Sequence, residues 1–338
     1  MGERVRGQIW RDGEKVDGFE LSEISELIGQ DGVLVWADLE CPTHETMEAL
    51  AAELDLDSFA VEDTTASAER VKSVAYEHHT FVMVYAVTDT ESEGTSLDVE
   101  HPAERSEAFE LHRISIFLKE NALITVRLSE GFDIDEVVER WDEMGVERYG
   151  IGALLHGLLD VVVDEHFEAL QRLDDAVESL EALLFDERMR ARTLQRQTYD
   201  LRKDLVRLRR VIIPMREVIG SIQRQRLENE APRELDPHFS DLHDHAMRAA
   251  EWTDSLRDMI ATVFETSLSL ADARLNSVMK KLTGWAAIIA VPTAITGFYG
   301  QNVPYPGYEK TSGLIVSTVL IVVIVGALYV GFRRRGWL

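Results

Sequence analysis

The sequence predicts an α+β membrane protein, in which a cytoplasmic α/β domain is followed by long stalk helices and two C-terminal transmembrane helices. The charge is divided unevenly. The residues before Ala271 include 59 of the 61 acidic and 28 of the 35 basic residues, which gives them a net charge of −31. The rest of the chain has 2 acidic and 7 basic residues, a net charge of +5. Residues 282–308 and 311–332 contain no charged side chain. Strand-like and helix-like stretches alternate over residues 1–150.

The composition excludes several functional classes. A single cysteine, Cys41, supplies neither a disulfide framework nor a thiolate zinc cluster, and we interpret it as a structural thiol. A net charge of −26 argues against a nucleic-acid partner, because phosphate binding needs a basic face. No Walker loop, glycine-rich dinucleotide turn or nucleophile elbow occurs, so we expect no organic cofactor and no enzymatic activity. Divalent cations are the expected partners.

The α/β domain is assigned to residues 1–150. Residues 43–54 place Met47 and Leu50 on one face, which predicts a helix. Four runs of β-branched and aromatic residues have the length of strands. They are Val33–Leu39, Thr80–Val87, Ile114–Lys119 and Ala122–Arg127.

Long stalk helices are assigned to residues 151–281. Apolar residues between Val163 and Leu184 recur at intervals of three and four with acidic residues among them, which is typical of an amphipathic helix. A second helix is predicted over about residues 193–222, with a kink at Pro214.

A third helix is predicted to start near His238 and to continue into the first membrane span, because residues 238–283 contain neither Pro nor Gly. A lone helix of this length would expose its apolar side chains to water. We therefore expect several copies to bundle about an axis.

The C-terminal part is predicted to form a transmembrane hairpin. About 20 helical residues cross a hydrocarbon core about 30 Å thick, so residues 282–299 are assigned to the first span and residues 314–332 to the second. Residues 300–313 form an extracytoplasmic loop rich in Gly and Pro, and residues 333–338 form a basic tail. Basic residues flank the inner ends of both spans, so both termini are predicted to be cytoplasmic in a plasma (inner) membrane.

One face of the third helix carries small or polar residues as it enters the membrane. Close packing of helices explains such a stripe, because small residues are common at membrane helix interfaces. A pore lining explains it equally well, with Met279 and the adjacent Leu282 forming an apolar constriction. The spacing does not separate these two interpretations. The stripe consists of Asn276, Met279, Thr283, Ala286, Ala290, Thr293 and Gly297.

Several motifs resemble the CorA family of magnesium channels. The first span ends in Tyr299–Asn302, where that family carries Tyr-Gly-Met-Asn, and the chain closes with a basic run before Trp-Leu. Further stretches follow the family's order over nearly the whole chain. They are VLVWADL at Val33, the segment at Val61, PMREV at Pro214, DLHDH at Asp241 and NSVMKKLT at Asn276.

The resemblance implies a funnel-shaped homopentamer whose first span lines the pore, with Mg²⁺ as both the transported and the regulatory ion. Gln301 stands in place of the family's methionine, which leaves ion choice open, and Ala290 stands where some members have a bulky residue. The implied site residues are Gly300, Gln301 and Asn302 for selectivity, Asn276, Met279, Leu282 and Thr293 for the pore lining, Asp63 and Asp241 for the regulatory metal site, and Glu62 and Asp160 for a neighbouring acidic site.

The chemistry of Asn302 is compatible with this role. Mg²⁺ holds its water tightly and prefers oxygen ligands, and a ring of amide oxygens can hydrogen-bond to that water. A helix C-cap is the alternative explanation for Gly and Asn at this place, and the two roles are compatible.

For Asp241 and His245, one helical turn apart, a zinc site and a solvated acidic helix face are both considered, and the solvated face is favoured.

The predicted function is a passive divalent cation channel for Mg²⁺, with Co²⁺ and Ni²⁺ as further substrates, that closes when Mg²⁺ occupies cytoplasmic sites between subunits. The alternative is a transporter of the same superfamily for zinc or another divalent metal, coupled to protons. A membrane-anchored acidic scaffold is the rival from another class. The predicted transmembrane hairpin that carries Asn302 argues against a simple anchor.

Overall fold

The computed structural model describes residues 2–66, 69–90, 108–186, 191–229, 231–301, 304–308 and 310–338. The chain divides into two compact units, Met1–Val263 and Phe264–Leu338. The seven described strands are β1 (Arg4–Arg11), β2 (Glu14–Val16), β3 (Val33–Glu40), β4 (Lys72–Ala75), β5 (Thr80–Asp89), β6 (Phe109–Leu118) and β7 (Ala122–Arg127). The described α-helices are α1 (Ile24–Leu27), α2 (His44–Glu53), α3 (Ser58–Thr65), α4 (Ile134–Met144), α5 (Val146–Tyr149), α6 (Ile151–Leu183), α7 (Ala191–Glu228), α8 (Asp236–Tyr299) and α9 (Thr311–Arg334).

The first unit is built around one mixed sheet with the strand order β2-β1-β3-β7-β6-β5-β4. Strands β3 and β7 pair in parallel, and the other neighbours are antiparallel. Every residue of β3 and β7 is buried, because both faces of the sheet are covered there. This explains why both strands are rich in apolar residues. Their buried charges are paired, since Arg127 of β7 forms ion pairs with Asp38 and Glu40 of β3. All four predicted strands are present, and β1, β2 and β4 were not predicted.

Different helices cover the two faces of the sheet. One face packs against α1, α2 and α3 through an apolar core that includes Leu39, Leu50, Phe81 and Ile124. Helix α2 begins where predicted, since the Thr43 hydroxyl accepts a hydrogen bond from the Thr46 backbone N–H. The other face meets α6 and α7.

The long helices follow the sequence periodicity. Helix α6 buries its apolar positions as predicted. Helix α7 continues through Pro214. Helix α8 runs unbroken from Asp236 to Tyr299, which confirms the prediction of one helix that starts near His238 and continues through the first apolar run.

The second unit contains the end of α8, the following turn and α9. Both α8 and α9 are long and apolar enough to cross a membrane. Most apolar side chains of α9 are exposed in the single chain, from Leu314 at 68% to Tyr329 at 39%. Large exposed apolar surface of this kind is stable in lipid or against another chain rather than in water.

Candidate ion pathway and metal sites

The small and polar stripe of α8 is exposed over its whole length in the single chain. All seven residues from Asn276 to Gly297 are exposed, with Met279 at 52%. Leu282, the second bulky residue of the predicted constriction, is 62% exposed. The structure therefore presents the four predicted pore residues, Asn276, Met279, Leu282 and Thr293, to the surroundings of the single chain.

The C-terminal part of the second unit covers a limited area on the other side of α8. Gly284 and Ile288 are buried. A Cβ atom added at Gly284 would lie 3.5 Å from Leu338 Cδ2 and 3.7 Å from Phe332 Cδ2. Since each residue turns a helix by about 100°, Ile288 faces away from the stripe residue Ala290 by about 200°. Packing within this chain does not account for the stripe, which leaves packing between copies, contact with a pore or contact with lipid. Large apolar residues outside the stripe, such as Trp285 and Ile289, are exposed as well.

Thr293 offers an oxygen atom on the stripe. Its hydroxyl donates to the Ile289 carbonyl oxygen at 3.1 Å, and Thr296 donates to the Pro292 carbonyl at 2.8 Å. The Thr293 donor is thus used inside the helix, and its lone pairs remain the acceptor that the side chain presents outward. An exposed acceptor is suited to the water shell of a cation.

The predicted selectivity segment follows the end of α8. The Gly300 N–H donates to the Thr296 carbonyl at 2.9 Å, and the Gln301 N–H donates to the Phe298 carbonyl at 3.3 Å. Gly300 is not among the positive-φ glycines, so it does not form a left-handed helix cap. A Cβ atom at Gly300 would lie 3.2 Å from the Thr296 carbonyl oxygen. Gln301 is exposed, and Asn302 lies outside the described residues.

Asp63, predicted as a regulatory metal ligand, has a cationic neighbour that the sequence did not reveal. Lys72 Nζ lies 2.6 Å from Asp63 Oδ2 and 3.0 Å from Glu69 Oε2. Burial alone would lower the pKa of Lys72, but hydrogen bonds and charges from both carboxylates raise it above its ordinary value. Lys72 therefore stays charged and competes with any metal ion for Asp63. Glu62 is exposed beside this pair.

Asp160 is also paired within the chain. Arg140 donates to Asp160 and, at 2.9 Å, to Asp164. Burial lowers the pKa of Arg140, but both carboxylates outweigh it and raise the pKa. The side chain of Asp160 is only 18% exposed, so this pair is partly screened from water.

Asp241 is far more exposed than Asp63 or Asp160. It lies on α8 with its side chain 73% exposed, and His245 Nε2 is 3.7 Å from its carboxylate. Among the described residues, no three His, Cys, Asp or Glu side chains are grouped so that they could hold a metal ion. The zinc site considered at Asp241 and His245 is therefore not assembled within one chain.

Glu165 and His166 on α6 cover the free side of β5. Strand β4 pairs only with residues Thr80–Met83, so the edge of β5 beyond them needs other partners. The Val87 N–H donates to Glu165 Oε2 at 3.0 Å, and His166 Nε2 lies 2.8 Å from the Tyr85 carbonyl oxygen. Burial raises the pKa of Glu165 to about 8 and lowers the pKa of His166 to about 4.

Comparisons with known proteins agree over most of the chain. A family model described as CorA-like Mg²⁺ transporter protein matches residues 31–334. The cobalt/magnesium transport protein CorA of Thermotoga maritima is 32% identical over 232 residues, which cover 68% of this chain and 65% of that protein. CorA of Methanocaldococcus jannaschii, also named a cobalt/magnesium transport protein, is 24% identical over 98% of both chains. The structure of the magnesium transporter CorA from M. jannaschii has the same fold, with a TM-score of 0.72, 22% identity and 98% of both chains covered.

Proposed function

Because this chain belongs to the CorA-like Mg²⁺ transporter family, we propose that it is a passive channel for divalent cations, which carries Mg²⁺ and also Co²⁺ and Ni²⁺ across the plasma membrane. One observation carries the proposal beyond the family. The stripe of α8 is exposed along its whole length, whereas the opposite face at Gly284 and Ile288 is covered. Five copies arranged with their stripes inward would enclose a path through the membrane, with both termini on the cytoplasmic side.

The stripe supplies the two kinds of surface that a gated pore needs. Asn276 and Thr293 present polar groups that can contact the water around an ion. Met279 and Leu282 present bulky apolar groups at the cytoplasmic side of the stripe. A ring of such groups excludes ions when it is narrow enough to lose its water. The apolar ring is therefore the proposed gate.

The outer mouth would bind the ion with its water shell intact. Magnesium gives up coordinated water reluctantly and prefers oxygen ligands. One amide from Asn302 and one from Gln301 in each copy would provide a ring of oxygens without a charge that traps the ion. The interior-negative potential then drives entry, since each elementary charge gains about 2.3 kcal/mol per 100 mV.

Closure is proposed to follow Mg²⁺ binding between Asp63 of one copy and Asp241 of the next, with Glu62 and Asp160 in a neighbouring site. Within the described part of a single chain, no three metal-ligating side chains are grouped. The ion pair of Asp63 with Lys72 adds a constraint, because Mg²⁺ must displace or outcompete the ammonium group. This competition would set the sensor to respond only at high Mg²⁺ concentrations.

The test is ion flux into liposomes that contain only this protein. Trapped indicator dyes report entry of Mg²⁺, Co²⁺ and Zn²⁺ at a fixed membrane potential, with protein-free liposomes as the control. Mg²⁺ entry that follows the potential and ignores an imposed pH gradient supports the passive channel. Zn²⁺ entry that depends on the pH gradient supports the alternative transporter, which the unusual Gln301 favours. No flux of any ion would contradict both and support the scaffold.

A further inference from the structure

The turn after the first apolar helix has a defined geometry. The Tyr308 N–H donates to the Tyr305 carbonyl at 2.9 Å. Pro306 follows Tyr305, and Gly307 has a φ of +94°. Proline at the second position and a positive φ at the third are the signature of a type II turn. Residues 305–308 therefore form a tight turn whose shape its own sequence specifies.

Three tyrosine rings join this turn to the end of α8. The rings of Tyr299 and Tyr305 meet edge to face with centroids 4.8 Å apart. Tyr305 meets Tyr308 in the same way at 5.4 Å. Both arrangements are favourable for aromatic pairs. Tyr299 is the last residue of α8, so its contact with Tyr305 joins the end of this helix to the turn at residues 305–308.

The same turn also sits against the first turn of α9. Gly313 is buried, and a Cβ atom added there would lie 2.6 Å from the Gly307 carbonyl oxygen and 3.5 Å from Tyr305 Cε2. The Gly307 carbonyl is a backbone group, so it cannot move away from an added methyl group as the end of a flexible side chain can. Gly326 in the same helix has nothing within 4 Å of an added Cβ atom. The turn thus occupies the space that a side chain at residue 313 would need.

We propose that Tyr305, held between Tyr299 and Gly313, is a positioning residue that holds Gly300 and Gln301, which follow α8 directly, in place to capture a hydrated cation. Tyr299, Tyr305, Tyr308 and Gly313 together are called the tyrosine clip. The role depends on the transport function proposed above. The clip restrains Gly300 and Gln301 before the ion arrives, so less conformational freedom is lost when the ion binds. Loss of the clip should therefore weaken capture rather than block the path.

The first test measures Mg²⁺ flux into liposomes as the external Mg²⁺ concentration is varied. We expect Tyr305→Leu and Gly313→Ala to raise the half-saturating concentration about tenfold, since misplaced binding groups lose affinity or rate steeply. The maximal rate and the assembly size should stay close to those of the parent. Tyr305→Phe keeps the ring, and Gly326→Ala adds the same methyl group in open space, so both should behave as the parent. An unchanged half-saturating concentration in Tyr305→Leu would overturn the proposal, as would a loss of maximal rate alone.

The second test needs no transport. A nitroxide spin label is attached at residue 301 through Gln301→Cys, with Cys41→Ser removing the natural thiol. We expect a broad, immobilised spectrum in this background and a narrower one when Tyr305→Leu or Gly313→Ala is added, but not with Gly326→Ala. Equal label mobility in the labelled parent and in these variants would show that the clip does not hold residue 301. If the parent transports no Mg²⁺, the proposed function and the capture role both fail, while the label still shows whether the clip holds residue 301.

Discussion

Replacing Glu165 with glutamine is expected to flatten the pH dependence of the stability of the first unit. The Glu165 carboxyl lies between α6 and the edge of β5, where burial raises its pKa to about 8. The N–H of Val87 on β5 lowers this pKa, Glu136 on α4 and Glu168 on α6 raise it, and Arg172 on α6 lowers it. Burial dominates this balance, so the folded chain favours the neutral acid.

The magnitude follows from the two pKa values. A carboxyl whose pKa rises on folding stabilises the folded state below its unfolded pKa, and this contribution is lost as the pH rises to the folded pKa. With 4.5 as the ordinary value and about 8 in the fold, each pH unit between them costs about 1.4 kcal/mol. From pH 5.5 to 8.5 the loss is on the order of 3 kcal/mol. Glutamine does not ionise, and its amide oxygen can still accept the Val87 N–H.

The assay is thermal unfolding of the full-length chain in detergent, followed by tryptophan fluorescence at several pH values. Trp36 and Trp141 are buried in the first unit and report its unfolding. At about 2 °C per kcal/mol for a unit of this size, the melting temperature of the parent should fall by roughly 6 °C more than that of Glu165→Gln between pH 5.5 and 8.5. Any cost of burying the amide is independent of pH and does not affect this difference.

The matched control is Glu178→Gln, which lies further along α6 and is exposed. Its pH profile should follow that of the parent. His166 acts in the opposite direction, because its pKa is lowered to about 4 and its contribution is lost as the pH falls from about 6.5. This effect is common to parent and variants and cancels in the comparison. Parallel pH profiles for the parent and Glu165→Gln would refute the reasoning.

Four further predictions concern transport and its regulation. Met279→Ala and Leu282→Ala should each raise basal flux at high internal Mg²⁺, since a shorter apolar ring admits water. Asn302→Ala should abolish Mg²⁺ uptake and leave assembly intact, because it removes an amide oxygen from the outer mouth. Lys72→Met should lower the Mg²⁺ concentration that protects α7 and α8 from protease by about tenfold, because it removes a competing cation. Asp63→Lys should give that protection without Mg²⁺.

Each of these outcomes can fail separately. Gating variants as tight as the parent would show that Met279 and Leu282 only pack between helices. Normal flux in a correctly assembled Asn302→Ala protein would remove its selectivity role. For the sensor, Lys15→Met removes a lysine that pairs with Asp142 at the surface and serves as the control. If Lys72→Met and the parent need the same Mg²⁺ concentration for protection, Lys72 does not compete with Mg²⁺ at the sensor.

Burial decided which strands were predictable. Strands β3 and β7 are buried on both faces and are rich in apolar and β-branched residues, which the sequence shows directly. Strand β1 buries only Ile9 and Trp10, and its three arginines hide the pattern. It forms a strand because it pairs along its whole length with β3, a contact that lies outside its local sequence. Helix α8 was predictable because no Pro or Gly interrupts its first 46 residues after Pro237.

In the candidate site too, local sequence predicted only what does not depend on contacts with distant parts of the chain. Spacing along α8 identified which residues share a face, because helical periodicity is local. It could not show which face the rest of the chain covers, and that depends on how close Phe332 and Leu338 come to Gly284. The availability of Asp63 to a metal ion depends likewise on its ion pair with Lys72, which β4 brings to α3. A spacing pattern can therefore suggest a metal ligand. The neighbouring strand supplies the cation that competes with Mg²⁺ for that ligand, and this competition determines the Mg²⁺ concentration at which such a site could act.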